Sequence, residues 1–128
     1  MTSTPRRLLE AVVSELHGTE RTGQQQMVDL VARAFATDST VLVQAGTGTG
    51  KSVAYLVPAV DHAADAGPGH GRVVIATATL ALQHQLVERD VPRTLSALEG
   101  ELPRPVTFAT LKGRSNYVCM QRVREIQG

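Results

Sequence analysis

One cysteine, no tryptophan, two phenylalanines and two tyrosines stand among 128 residues. A single cysteine closes no internal disulfide, which fits a reducing compartment. So few aromatic rings leave little surface on which nucleic-acid bases can stack. An excess of one charge is lacking too: 13 Lys and Arg face 12 Asp and Glu, for a net charge of +1. No bulk field draws in a polyanion, so any nucleic-acid contact has to be local. No apolar run reaches the length of a membrane span. The opening MTSTPRRLLEAVVSELHG is broken by Glu10 and Glu15, and it lacks the uninterrupted apolar stretch of a secretory signal. A cytoplasmic protein with no membrane partner is the expectation.

What is present is ordinary for a globular chain: 42% apolar and 20% charged residues. The length suits one domain with its own core. Leu8, Leu9, Val12, Val13 and Leu16 recur at helical spacing, which predicts a helix over 6–17 with Gly18 as its stop. Met27, Val28, Leu30, Val31, Ala34 and Phe35 predict a second helix over 24–36, broken by Thr37, Asp38 and Ser39. The period then changes. Thr40–Gln44 is a short β-branched run, a buried-strand candidate. A Gly/Thr-rich turn leads to an apolar helix over 52–66, which Pro58 is expected to kink or divide. Gly67-Pro68-Gly69-His70-Gly71 reads as a loop. Arg72–Thr77 is a second strand candidate, 79–89 a helix, 92–98 a short helix, and Val106–Ala109 a third, weaker strand. The tail from Met120 reads as helical. Strands alternating with helices predict an α/β fold, a parallel sheet with helices on both faces, preceded by two N-terminal helices.

The strongest chemical signal is Ala45-Gly46-Thr47-Gly48-Thr49-Gly50-Lys51-Ser52. It fits the phosphate-loop pattern except that Ala45 replaces the first glycine. Glycines let several backbone N–H groups turn into one anion-sized hollow, and the following helix adds its positive end. Lys51, the candidate catalytic residue, neutralises outer phosphates in such a loop. The Ser52 hydroxyl is a Mg²⁺ ligand there. One helix upstream, the carboxamide of Gln24 is able to pair with an adenine edge, although the run Gln24–Gln26 also suits a solvated helix start. Thr77 and Thr79 suit phosphate contact, and Thr79 equally suits a helix N-cap.

Four blocks in order carry a family resemblance: Arg21-x-x-Gln24-x-x-Met27, AGTGTGKS, ATATLALQHQL over 76–86, and KGRSNYVC over 112–119. Together they resemble the start of the DinG/XPD group of superfamily 2 DNA helicases. The resemblance implies a partial RecA-like motor domain over 20–110, after an N-terminal helix over 1–19. It places the truncated start of an iron–sulfur insertion at 111–128. ATP and Mg²⁺ are the implied cofactors, with Arg21, Gln24 and Ala45 to Ser52 as the nucleotide site and Gln24 reading adenine. Single-stranded or forked DNA is the implied partner, met by Thr77, Thr79, Gln85, Arg114 and Tyr117. A [4Fe–4S] cluster in the whole protein is implied, with Cys119 as its first ligand. The implied activity is ATP-driven 5′-to-3′ translocation by a monomer, in DNA repair or replication.

Two things needed for that chemistry are not found in these 128 residues. Hydrolysis by a phosphate-loop motor needs an acid at a strand end to hold the Mg²⁺ shell. The candidate strands end in Thr-Ala-Thr and Thr-Leu-Lys. A cubane cluster needs four thiolates, and His17, His62, His70 and His84 make no metal spacing with Cys119. The expectation is therefore an N-terminal piece of a helicase that does not turn over ATP by itself. Two alternatives stay open: a stand-alone nucleotide-binding fragment without catalysis, and a small nucleotide kinase. The kinase is disfavoured by the lack of an Arg-rich lid after Lys51.

Overall fold

The computed structural model describes residues 4–19, 21–46, 50–66 and 71–127. The predicted loop residues Gly67, Pro68, Gly69 and His70 lie outside the described residues. Among the described residues six α-helices follow one another: α1 (Thr4–Glu15), α2 (Thr22–Thr37), α3 (Lys51–Asp65), α4 (Leu80–Gln85), α5 (Val91–Ala97) and α6 (Met120–Gln127). A π-helical turn, Leu86–Asp90, joins α4 to α5, and a 3₁₀ turn spans Arg114–Asn116.

α1 forms because Leu8, Leu9, Val12 and Val13 fall on one face, and all four are buried. It ends at Glu15, two residues before the predicted end at 17. His17 takes the left-handed conformation at φ 51°, and Gly18 N–H donates to Val13 O at 2.9 Å. α2 ends in the same way at Asp38, φ 48°. α3 runs undivided through Pro58, which is fully buried. The core lies between α1, α2 and α3. Leu8, Leu9, Val12, Val13, Val28, Ala54, Val57 and Val60 meet there, together with Leu98 just beyond α5. Each buried Leu or Val there contributes roughly 1.5–3 kcal/mol. Arg6 of α1 pairs with Asp29 of α2, and Arg7 with Glu101 at 3.0 Å.

The predicted parallel sheet is not formed. Among the described residues there is no strand: Thr40–Gln44, Arg72–Thr77 and Val106–Ala109 join no ladder. The three runs are also not the buried elements expected of them. Leu42 is 96% exposed and Val74 83%. The physical reason is that β-branched residues make a segment able to pair, whereas a strand exists only through partners in register. A strand in a parallel sheet also needs helices over both faces. Here the helices spend their apolar faces on one another, so this is a helical fold rather than an α/β one.

The predicted helix over 79–89 is also redrawn. α4 stops at Gln85, and Val91 N–H reaches back five residues to Leu86 O. Pro92 follows at the start of α5. A proline ring clashes with the carbonyl four residues before it and offers no N–H. The wider π turn fits a proline at this place without breaking the helical path.

Candidate functional site

The starts of α3 and α2 meet at Gly50. This residue has φ 72°, ψ 33° and caps the N-terminus of α3. The left-handed conformation suits glycine. The neighbourhood demands it as well, because a Cβ built here stands 2.3 Å from Gln24 Nε2. Gln24 is 7% exposed and donates from Nε2 to Gly50 O at 3.2 Å. The carboxamide thus lies against the last glycine of the loop. Arg21 is exposed and extended, one residue before α2. Lys51 donates from Nζ to Ala45 O at 2.9 Å, so its ammonium closes across from the start of the loop to its end. Gly46 is described, with open space where a Cβ would stand. Thr47, Gly48 and Thr49 lie outside the described residues.

One turn into the site, a polar cluster gathers around Ser52. Tyr55 and Asp90 lie near enough for Ser52 to influence the titration of both. Asp90 also accepts from Gln85 Nε2 at 2.9 Å and from Arg89 Nε at 2.8 Å. Burial works to raise the Asp90 carboxyl. The hydrogen bonds from Gln85 and Arg89, the Arg89 charge and the Ser52 hydroxyl outweigh it and hold the group below its ordinary value. Burial raises the Tyr55 phenol, the Ser52 bond opposes this, and the Asp90 charge adds to it, so the phenol stays above its ordinary value.

The DNA-contact candidates are divided. Thr77 and Thr79 line one cleft of about 870 Å³ between 71–80 and 106–113. Gln83 spans it, donating to Leu111 O at 3.3 Å. Thr79 accepts from Leu82 N at 3.2 Å and so is an N-cap, while Thr77 donates to Thr79 O at 3.2 Å. Gln85 points instead into the Ser52 cluster, on Asp90. Arg114 opens the 3₁₀ turn, and the Tyr117 hydroxyl accepts from Lys112 N–H at 2.9 Å. Neither lines the cleft. Cys119 is exposed, and the described residues hold no group of three or more His, Cys, Asp or Glu side chains able to bind a metal.

Sequence reasoning missed Asp90. It sought an acid at strand ends, and this one sits in a π turn outside the helical period. The usable signal was Asp90-Val91-Pro92, where a proline breaks the regular helix just after an acid.

Residues 21–114 match the family described as DEAD/DEAH box helicase. The chain belongs to that family. Within it, the likeness is to the DinG type: the chain is 53% identical over 117 residues to the ATP-dependent helicase DinG of Mycobacterium tuberculosis, covering 91% of this chain and 17% of the relative. It is 40% identical over 105 residues to the ATP-dependent DNA helicase YoaA of Escherichia coli, covering 82% of this chain and 15% of that protein. The protein called 3′-5′ exonuclease DinG in Bacillus subtilis is 38% identical over 119 residues, covering 91% and 12%. This chain therefore spans less than a fifth of the length of these relatives. No solved structure matches it.

Proposed function

We propose that this chain is the nucleotide-binding part of an ATP-dependent DNA helicase motor of DinG type. The observation that carries the reading is the joint at Gly50. A left-handed glycine, a carboxamide packed against it and a lysine ammonium meet at the N-terminus of a 15-residue helix. The donors suit a nucleotide: the helix start and the Lys51 ammonium suit phosphate oxygens. The Ser52 hydroxyl suits Mg²⁺, which when bound supplies charge neutralisation at those oxygens. Lys51 exchanges the Ala45 carbonyl for a phosphate oxygen, a stronger charge-assisted partner. Gln24 holds the loop's last glycine and offers the rest of its carboxamide to a base.

The family and relatives support DNA as the whole protein's substrate. The resemblance supports single-stranded or forked DNA, 5′-to-3′ movement and a [4Fe–4S] cluster that begins at Cys119. Thr77, Thr79, Gln85, Arg114 and Tyr117 stay the proposed DNA contacts of this chain, Thr77 and Thr79 lining the cleft. By itself the chain binds nucleotide and does not turn it over, because the runs 72–77 and 106–109 end in no acid that could hold a Mg²⁺ shell.

Binding of a fluorescent ADP analogue to the 128-residue chain tests this. Lys51→Ala should weaken binding at least tenfold, as expected for the loss of one charge-assisted contact of roughly 1.5–3 kcal/mol. Equal binding by wild type and Lys51→Ala would reject the site. Steady ATP hydrolysis by the wild-type chain, absent from Lys51→Ala, would reject the claim that it does not turn over.

A further inference from the structure

In an α-helix the side chains that meet stand three and four residues apart. Gln85 and Asp90 are five apart, yet Gln85 Nε2 donates to Asp90 Oδ2 at 2.9 Å. The π turn over Leu86–Asp90 brings them together, because its hydrogen bonds also step five residues. Asp90 is a fixed anchor. Arg89 Nε donates to its Oδ1 at 2.8 Å, and the hydroxyl of the buried Thr94 donates to its carbonyl at 2.8 Å. Its side chain is 12% exposed, and the turn packs against α3. A glutamine amide carries two N–H groups and one carbonyl, and a free carboxamide presents either end. Committing one N–H to Asp90 removes that choice.

We infer that Asp90 is a positioning residue for the DNA contact of Gln85: it holds one N–H of the carboxamide and so leaves the second as a fixed neutral donor for a phosphate oxygen. Neutral donors of this kind set the register of a strand without reading its bases. A carboxylate close to a phosphate path repels the strand, and Arg89 offsets that charge by pairing with it. The inference rests on the reading of Gln85 as a DNA contact, and it assigns Asp90 no contact with DNA.

The test is the anisotropy of fluorescein-labelled oligothymidine titrated with the 128-residue chain. Gln85→Ala should weaken binding about fivefold, the size of one hydrogen bond. Asp90→Ala should weaken it about threefold, although it removes a negative charge. A carboxylate acting through its charge alone gives the reverse, tighter binding once it is removed. Asp90→Asn keeps an acceptor oxygen and should recover most of the loss. Gln85→Ala with Asp90→Ala should be no weaker than Gln85→Ala alone, because both act through one amide. Gln85→Glu with Asp90→Asn turns the bond round, with the new amide donating to the new carboxylate. The melting temperature should then return to that of wild type while DNA binding stays weak, whereas a brace with no part in DNA contact would regain both. Tighter or unchanged binding by Asp90→Ala, full additivity, or DNA binding regained by the reversed pair would overturn the inference. If circular dichroism shows Asp90→Ala unfolded, Asp90→Asn and the reversed pair decide it. Wild-type affinity in Gln85→Ala, or no DNA binding by wild type, would remove the DNA contact and the inference with it, while nucleotide binding that depends on Lys51 would stand.

Discussion

At Gly50 a single missing Cβ decides the geometry of the loop. The residue is in the left-handed region, and Gln24 Nε2 occupies the space a side chain would need. Sequence reasoning could see both glycine and glutamine as candidates, but not that they touch. A second residue, Asp61 of α3, shows how burial tunes a surface charge. Burial raises its carboxyl, the Asp65 charge one turn on raises it further, and His62 and Arg7 pull the other way without cancelling the rise. The folded chain therefore holds this proton more tightly than the unfolded chain, whose ordinary value is 3.8. Below that value both states are protonated, and the stabilisation is fully present. It is lost as pH rises through the higher folded value. Asp61→Asn should accordingly raise the melting temperature at pH 7 and leave it unchanged at pH 3, by less than the direction alone suggests because the group is partly solvated. Melting curves at the two pH values check this, and an equal change at both would show that titration is not the cause.

Among the elements, the three long helices were legible from spacing. Predicted 6–17, 24–36 and 52–66 became 4–15, 22–37 and 51–65, because a burial stripe at period 3.6 is written into each sequence. The strands were not legible, since Val41, Leu42 and Val43 state a preference and say nothing of a partner. The π turn was hidden for another reason: its cause is Pro92, two residues after the turn ends. Of the candidate site, the loop glycine, lysine and serine could be read from the motif. The Gln85–Asp90 bond could not, because it closes across a π turn that no helical period describes. Thr79 is where two readings of one residue compete, a helix cap or a DNA contact. The structure supplies the cap, with Leu82 N–H on its hydroxyl. Thr79→Ala should cost about 1 kcal/mol of stability and Thr79→Ser almost none, since serine caps as well. Urea unfolding of the three chains measures it. A full loss in the serine variant would mean that the threonine methyl, rather than the cap, holds α4 in place.

At the scale of the molecule, the described residues form a helical cluster carrying three apolar runs that join no ladder among them. The core uses α1, α2, α3 and the end of α5, while α6 packs on no other helix among the described residues. Outside the core, Leu42, Val74 and Leu111, the last 86% exposed, face solvent. Large apolar side chains left in water near one another favour association over solubility. Stability is accordingly expected to be uneven along the chain, high where helices bury one another and low where extended backbone lacks a ladder. Hydrogen exchange reads this directly. Amides of α1, α2, α3 and α5 should be protected, and those of 41–44, 72–77 and 106–111 should exchange at close to the rates of an unfolded peptide. Far-UV circular dichroism should be that of a helical protein. Protection across 72–77 equal to that of α3 would mean those amides are paired, and the strand-free description would have to be given up. Fast exchange there with protected helices would instead show that the core stands without the sheet, because the apolar faces of α1 to α3 already satisfy one another.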